Sequence, residues 1–316
     1  MAALAAITTA LSLSPAHAQQ DKARITIGTG NPGGVYFPLG QAIARVITRY
    51  VPGAAASARE TGGSIANVQM IEAGRALMGF TMADSAWDAF HGLDRFDRHA
   101  VALRTLAVFY PNRMHVVTLD GTGITRFADL KGRRVSTGAA GSGTELMALR
   151  LLEAQGLDPK RDVVRSQLGL ADSVAALRRG SIDALFWVGG VPTPSLAELA
   201  RGSRRMRLID HGEAVERLRA RFGPIYVASH FMANAYPNQR VESSNVDVWN
   251  LLVVPASADD ELVYRITRAL FEHRDELAEA YKDASLLDIA TQSPNASPIP
   301  YHPGALRYLR ERGVRF

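Results

Sequence analysis

Residues 24–50 read RITIGTGNPGGVYFPLGQAIARVITRY, and this stretch decides the fold class. Arg24 to Gly28 is predicted to be a strand, and a glycine-rich loop follows from Gly28 to Gly34. From Tyr36 to Tyr50, apolar residues recur at helical spacing. Strand, glycine-rich loop and helix in this order form the repeating unit of α/β proteins.

A second stretch repeats this order further along the chain. Arg133 to Thr137 is predicted to be a strand, and Gly138 to Gly143 is a second glycine-rich loop. Ser142 is placed to cap a helix that runs to Ala154. The repeat predicts two similar α/β units, each with one glycine-rich loop between a strand and a helix.

The elements around these units follow from capping residues and apolar runs. Ser64 and Asp84 are each placed to cap a helix. Leu103–Tyr110 and His115–Leu119 are predicted to be consecutive strands, and Pro111-Asn112 is predicted to be the turn between them.

The C-terminal part is predicted to return to the first α/β unit. Asp247–Val254 is a hydrophobic strand, and Ala258–Lys282 has the pattern of one long amphipathic helix. We therefore expect a hinged clamshell of two α/β domains. The chain would cross between the domains near His115 to Ile124 and near Ser243 to Val248.

Length and composition agree with a folded protein of two domains. At about 150 residues per domain, 316 residues favour two domains over one. Because the chain has no cysteine, thiolate metal sites, iron–sulfur clusters and cysteine nucleophiles are excluded. The net charge of +5 is scattered rather than gathered on one face with aromatic residues, so nucleic acid is not an expected partner.

The N-terminus is typical of a targeting segment. Met1 to Ser14 is uncharged and mostly apolar, and Ala16-His17-Ala18 provides the small-x-small pattern that a signal peptidase cleaves. The alternative is a buried first helix, although Pro15 would stop its continuation. A signal peptide over residues 1–18 predicts a soluble protein exported to the periplasm.

The spacing of the two glycine-rich loops invites comparison with nucleotide-binding motifs. Gly28-Thr29-Gly30-Asn31-Pro32-Gly33 matches G-x-G-x-x-G, but no acidic residue lies between Gly34 and Arg59 to bind a ribose. The second loop has Thr144 where a P-loop requires lysine. Neither loop is therefore expected to bind a nucleotide, and no cofactor is expected.

The loops keep a simpler property, because each exposes backbone N–H groups at the start of a helix, where an anion is favoured. The alternative for either loop alone is a tight turn with no ligand. Two such loops in facing domains favour a carboxylate held between them.

An enzyme would need a positioned nucleophile, base or metal set, and the sequence offers none. The histidines have no partner at a metal-ligand spacing such as H-E-x-x-H, and no G-x-S-x-G elbow occurs. Ser142 has no base that the sequence identifies. We therefore expect neither catalysis nor a metal site.

Motifs spread over nearly the whole chain resemble the TAXI family, the solute receptors of one class of TRAP transporters. The shared segments are Ile27-Gly28-Thr29-Gly30, Gly33-Gly34-Val35-Tyr36, Pro38-Leu39-Gly40, Thr61-Gly62-Gly63-Ser64 with Asn67, Asp84, Asp129-Leu130-Lys131-Gly132, Gly141-Ser142-Gly143-Thr144, Ile182-Asp183-Ala184 and His302-Pro303-Gly304-Ala305. The resemblance implies a type II periplasmic-binding-protein fold. It also implies a receptor that delivers glutamate, glutamine or a dicarboxylate to TRAP membrane permease subunits.

The resemblance further implies which residues line the ligand cleft. These are Gly30, Gly33, Gly34, Val35, Tyr36, Gly63, Ser64, Asn67, Ser142, Gly143, Thr144, Trp187 and Gly189. The expected organisation is a signal peptide over residues 1–18, a first domain over 19–120, a second domain over 121–244 and a return segment over 245–316 that packs on the first domain.

Purely structural roles remain open for several of these residues. Ser64 and Ser142 could be plain helix caps, Asn67 could hold a loop, and Trp187 could be core. Asp84 is expected to be a cap rather than a ligand contact, because a second anion beside the ligand would weaken binding. The competing functions are an exported hydrolase of a small anion and a cytoplasmic effector-sensing domain, although no helix-turn-helix segment supports the latter.

Overall fold

The computed structural model describes residues 22–32, 34–280 and 287–316. The predicted signal peptide and Gly33 lie outside the described residues.

Strands and helices alternate along most of the chain, as the sequence predicts. The strands are β1 Ala23–Gly28, β2 Ala54–Arg59, β3 Met78–Met82, β4 Leu103–Leu119, β5 Arg134–Ser136, β6 Val164–Ser166, β7 Ala184–Gly189, β8 Met206–Leu208, β9 Val227–Phe231 and β10 Ser243–Pro255. The helices are α1 Tyr36–Tyr50, α2 Ser64–Glu72, α3 Ala83–His91, α4 Gly143–Ala154, α5 Leu170–Arg179, α6 Pro194–Ala200, α7 Val215–Phe222, α8 Asp260–Glu272, α9 Arg274–Ala280 and α10 Pro303–Glu311.

The strands form one mixed sheet in the order β2-β1-β3-β10-β4-β7-β5-β6, with β8 paired to β4 and β9 paired to β10. β1 runs parallel to β2 and β3, and β5 runs parallel to β6 and β7. β4 and β10 are antiparallel to each other and stand between the two parallel groups. This arrangement confirms the predicted α/β class with two similar units.

β4 and β10 are long enough to serve both parallel groups. β4 pairs with β10 from Leu103 to Arg113, and with β7 from Arg113 to Thr118. We call β1–β3, α1–α3 and α8–α10 the first lobe, and β5–β9 with α4–α7 the second lobe. The crossing strands β4 and β10 connect them.

The predicted turn at Pro111-Asn112 is wrong, because β4 continues through both residues. Pro111 lies opposite Trp249, and the pairing then shifts to Val108 opposite Leu251. Proline lacks the N–H that a regular ladder needs, and such an irregularity in the register is where a strand tolerates it.

Two of the predicted helix starts and one predicted helix need correction. α2 begins at Ser64 itself, with Gly63 as its N-cap, and α3 begins at Ala83, so neither Ser64 nor Asp84 is the capping residue. The long helix expected from Ala258 is instead two helices, because the backbone of His273 leaves the helical conformation at φ −117° and ψ 29°.

The C-terminal helices pack on the first lobe. The ring of His273 stacks on Tyr50 of α1 with centroids 3.4 Å apart, and α10 packs against α8.

Of the helices in the described part of the chain, none has the length and apolar character needed to cross a bilayer. The domain bounds 19–120, 121–244 and 245–316 remain a prediction.

Candidate functional site

A cavity of about 40 Å³ lies between the lobes, where both glycine-rich loops end. The described residues that line it are Gly30, Asn31, Gly34, Val35, Tyr36, Gly62, Gly63, Ser64, Met82, Tyr110, Asn112, Gly138, Ala139, Ser142, Gly143, Thr144, Leu168, Gly169, Leu170, Phe186, Trp187, Val188 and Gly189. We call it the interlobe cavity.

The first wall of the interlobe cavity comes from the loop after β1 and the start of α1. The ring of Tyr36 stacks on Phe80 of β3, with centroids 4.8 Å apart and an interplanar angle of 11°. Its hydroxyl donates to Asn250 Oδ1 and accepts from Asn112 Nδ2 at 3.3 Å. Burial raises the pKa of Tyr36 above its usual value, so the phenol stays protonated.

The second wall is the start of α2. Gly63 precedes it with φ +112°, a backbone conformation that favours glycine. The Ser64 hydroxyl accepts the Met82 N–H at 3.1 Å and so fixes the helix to β3. The first backbone N–H groups of a helix have no partner inside the helix. Gly63 and Ser64 of this helix start line the interlobe cavity.

The third wall is the start of α4, in the other lobe. Ser142 Oγ accepts the Glu145 N–H at 3.0 Å, so the predicted N-cap is confirmed. Glu145 Oε2 accepts the Gly141 N–H at 3.0 Å and completes the helix start. Thr144 Oγ1 accepts the Val188 N–H at 3.2 Å, which joins α4 to β7.

The starts of α2 and α4 approach each other closely across the interlobe cavity. A Cβ built on Gly143 would lie 2.6 Å from Ser64 Oγ and 2.5 Å from Met82 Cε. Glycine is therefore needed at residue 143 for this approach. Both helix starts carry partial positive charge, so an anion between them is favoured by both.

The fourth wall is the end of β7. The indole of Trp187 donates from Nε1 to Thr193 Oγ1 at 3.1 Å. Its ring lies against two glycines, since a Cβ would stand 2.9 Å from it at Gly34 and 2.5 Å from it at Gly189. Gly34 belongs to the first lobe, so Trp187 is a contact between the lobes as well as part of the lining.

A pair of buried asparagines lies beside the interlobe cavity, and Asn112 is the member that lines it. Asn112 Nδ2 donates to Asn250 Oδ1 at 2.6 Å. Within the described residues, Asn112 Oδ1 and Asn250 Nδ2 have no hydrogen-bond partner. Since Asn112 also lines the cavity, its amide is available to a polar group of a ligand.

The interlobe cavity holds no formal charge on any described lining residue. Asp84 lies outside the lining and is fully buried, with oxygens that accept the Ser85 N–H at 2.7 Å and the Tyr226 hydroxyl at 3.1 Å. Burial raises the pKa of Asp84. In the ranges 22–32, 34–280 and 287–316, no three His, Asp or Glu side chains are placed to hold a metal ion.

Eleven of the thirteen residues predicted for the cleft surround this one cavity: Gly30, Gly34, Val35, Tyr36, Gly63, Ser64, Ser142, Gly143, Thr144, Trp187 and Gly189. Gly33 is outside the described residues. Asn67 lies behind the wall, where Nδ2 donates to the carbonyls of Thr29 at 2.6 Å and Phe80 at 2.8 Å, so it holds the loop rather than lining the cavity. That the eleven bind a ligand remains a prediction.

Sequence reasoning missed several lining residues. Tyr110 and Asn112 were assigned to a strand end and a turn, and only the pairing of β4 with β10 brings them to the cavity. Leu168 and Leu170 flank the start of α5, where no glycine pattern marked the position. The only local sequence signal at this start is Gly169, which is the N-cap of α5. The other two loops also have glycines just before their helices.

Comparison with known proteins identifies a family and several solved structures that this chain resembles. The NMT1-like family matches residues 27–313. A protein from Bordetella bronchiseptica RB50 is similar in structure, with a TM-score of 0.55 and 20% identity over 92% of this chain and 89% of that chain.

Two further solved structures have the same fold. One is titled a periplasmic transporter, with a TM-score of 0.51 and 16% identity over 91% of this chain and 92% of that chain. The other is described as an L-cystine ABC transporter of Listeria monocytogenes, with a TM-score of 0.50 and 17% identity over 84% of this chain and 98% of that chain. At these identities the likeness concerns the fold, which is the mixed α/β clamshell of periplasmic substrate-binding proteins.

Proposed function

The chain belongs to the NMT1-like family, and on that premise we propose that it is a solute receptor that encloses a small organic anion and delivers it to a membrane transporter. One observation carries the proposal. The starts of α2 and α4 approach from opposite lobes and meet at the interlobe cavity. Backbone N–H groups and two helix dipoles directed at one point are a suitable environment for an anion.

The resemblance to the TAXI family supports the finer parts of the proposal. The transporter would be of the TRAP type, with the membrane permease subunits as partner. The receptor would act in the periplasm after cleavage behind Ala18. Glutamate, glutamine and dicarboxylates are the ligand classes that the resemblance implies, and the ligand would be released chemically unchanged.

The proposed mechanism is closure about the two crossing strands. The first domain would comprise residues 19–120 and 245–316, and the second residues 121–244. Both β4 and β10 run through the point where the sheet changes lobes, at Arg113 and Asp247. Bending at this point would open the interlobe cavity to solvent and close it again around a ligand.

Replacement of Ser142 by alanine tests the proposal. Its hydroxyl oxygen already accepts the Glu145 N–H, so its hydrogen is available to a bound anion. A hydrogen bond to a charged group contributes about 1.5–3 kcal/mol, so Ser142→Ala is expected to weaken binding roughly tenfold or more. The lost cap alone should lower the free energy of unfolding by about 1 kcal/mol.

The matched control is Asp259→Ala, because Asp259 caps α8 by accepting the Leu262 N–H at 2.7 Å, away from the interlobe cavity. It should lose a similar free energy of unfolding and bind normally. The titrated compound is the small molecule that co-purifies with the protein, identified by mass spectrometry, and it should be recovered unaltered after incubation. Equal affinity in both variants, or conversion of the compound, would contradict the proposed function.

A further inference from the structure

The charge of the interlobe cavity restricts which anions it can accept. No described residue of its lining carries a formal charge. Each helix start contributes about half an elementary charge, so α2 and α4 together complement about one negative charge. A ligand with a second charged group would bring that group to a place with no partner.

Among the described residues, no carboxylate lines the interlobe cavity to pair with an ammonium group. Asp84 is outside the lining and its two oxygens accept bonds from Ser85 and Tyr226. Glu145 is 1% exposed and already has partners at the start of α4. It accepts hydrogen bonds from Gly141 and Gln167, and its carboxylate lies 3.4 Å from the guanidinium of Arg95. An ammonium group in this cavity would therefore be desolvated without an opposite charge, which is strongly unfavourable.

The described lining also contains no cation to pair with a second carboxylate. Arg150 is buried and forms a salt bridge with Asp88 at 2.6 Å, on the far side of α4. Arg165 faces Glu145 at 3.7 Å, and neither arginine lines the interlobe cavity. The helix starts would have to neutralise both charges of a dicarboxylate, although they complement only one.

The rest of the lining is suited to an apolar body. Tyr110, Phe186, Trp187, Leu170 and Val188 surround the space beside the helix starts. The amide of Asn112, with its unpartnered Oδ1, provides one neutral polar contact. A hydroxyl or similar uncharged group on the ligand could use it.

We propose that the interlobe cavity selects a compact organic monoanion and rejects zwitterionic amino acids and dianions. The anionic head group lies between the starts of α2 and α4, and the apolar body lies against Trp187 and Phe186. This inference rests on the proposed function as a solute receptor. It narrows the ligand classes that the family resemblance implies, because glutamate, glutamine and dicarboxylates all carry more than one charged group.

The first test is a calorimetric series of four-carbon compounds with the purified chain after removal of bound molecules. Butanoate and butane-1-sulfonate are the monoanions, succinate is the dianion, 2-aminobutanoate is the zwitterion, and butanamide is the neutral control. We expect both monoanions, or one of them, to bind at least a hundredfold more tightly than succinate and 2-aminobutanoate. Stronger binding of succinate or 2-aminobutanoate would overturn the charge inference and leave the receptor function intact.

The second measurement is the identity of the molecule released from the freshly purified protein. A monoanion without an amino group supports the inference, and a molecule with an ammonium group or two anionic groups overturns it. If no molecule is released and no compound of the series binds, both the charge inference and the proposed function fail. The two failures are thus distinguishable.

A variant with a cation introduced into the lining provides an independent test of the charge inference. Leu168 is half-buried at the edge of the interlobe cavity, so a longer side chain can extend from it. Leu168→Arg should raise the affinity for succinate at least tenfold relative to butanoate, and Val164→Arg, which adds the same charge at an exposed position outside the lining, should keep the original order. A folded Leu168→Arg variant with an unchanged order would contradict the view that charge sets the specificity.

Discussion

The start of α4 and its C-terminal half contact the first lobe through different kinds of interaction. At its start, Ser142 and Gly143 meet α2 across a cavity whose described lining has no formal charge. Two turns later, Arg150 of the same helix is 5% exposed and meets Asp88 of α3 at 2.6 Å. The protein itself completes the second contact, whereas the proposed ligand would complete the first.

The buried ion cluster, which consists of Asp84, Asp88, Arg150 and Tyr226, is a connected network. Arg150 donates to the Tyr226 hydroxyl at 3.1 Å, and that hydroxyl donates to Asp84 at 3.1 Å. The guanidinium also lies over the ring of Phe222 at 4.5 Å. Comparison of the two contacts indicates that the cluster fixes the position of α4 against the first lobe. Under the proposed function, the cluster would thereby hold the helix start in place for an anion.

The largest effect is expected from loss of the buried cation. Arg150→Met would leave Asp84 and Asp88 buried without a positive partner, which should lower the free energy of unfolding by about 3–5 kcal/mol. Arg207→Met is the control, because Arg207 pairs with Asp120 at an exposed position and should lose less than about 1 kcal/mol. Urea denaturation measures both. Similar losses in the two variants would mean that the cluster does not join the lobes.

The next effect tests the uncharged end of α4. In Gly143→Ala, the new methyl group would lie too close to Ser64 and Met82. Overpacking of this kind costs about 1–3 kcal/mol, which corresponds to roughly tenfold to hundredfold weaker binding if it opposes closure. Gly169→Ala is the control in the same cavity, since its methyl group would meet only Asn31 at 3.7 Å. Butanoate titration of both variants decides, and equal affinities would show that residue 143 does not limit closure.

The pH dependence of stability should report the ion cluster. Burial raises the pKa of Asp88 to about 6, more than Arg150 lowers it. The folded state therefore binds this proton more tightly than the unfolded state, whose aspartate pKa is about 3.9. The resulting stabilisation is complete below about pH 4 and is lost as the pH rises through about 6, by at most about 1.4 kcal/mol per pH unit.

Asp88→Asn should remove this component. Urea denaturation at several values between pH 4 and pH 7 should show the free energy of unfolding of the unmodified protein falling relative to that of Asp88→Asn as the pH rises. If the free energy of unfolding changes equally with pH in Asp88→Asn and in the unmodified protein, Asp88 is not the group that titrates.

The smallest effect is expected at Tyr36. Its hydroxyl is engaged with Asn250 and Asn112, so Tyr36→Phe should cost about 1 kcal/mol of stability and weaken butanoate binding only a few-fold. Tyr50→Phe removes a hydroxyl that bonds to Glu276 outside the cavity and should leave binding unchanged. A loss of binding at Tyr36 larger than that at Ser142 would indicate that the phenol contacts the anion directly.

Local signals in the sequence were sufficient for much of the fold and for the two glycine-rich loops that line part of the interlobe cavity. Glycines between a strand and a helix, and a serine at an N-cap, act through the backbone of a few neighbouring residues. Because the order of strand, glycine-rich loop and helix occurs once in each half of the chain, the loops after β1 and β5 could be predicted to face each other in a two-domain clamshell. Ser142 and Gly143 were found in this way.

Non-local pairing could not be predicted from the same signals. Pro111-Asn112 has the composition of a turn, but the partner strand β10 keeps it extended and brings Asn112 to the cavity. The ion cluster was missed for the same reason, since Asp84 and Asp88 of α3 are distant in sequence from Arg150 and Tyr226. Each is an ordinary charged or polar helix or loop residue until the lobes pack.

The position of β10 also sets the order in which the polypeptide can mature. β10 inserts between β3 and β4, although the whole second lobe separates it from them along the chain. Until Pro255 is available, the first lobe lacks an internal strand and both neighbours present open edges. A nascent chain therefore remains without a finished lobe for most of its synthesis, which suits passage through a membrane channel in an extended form. It also makes the exposed edges of β3 and β4 the places that a chaperone would need to shield from aggregation.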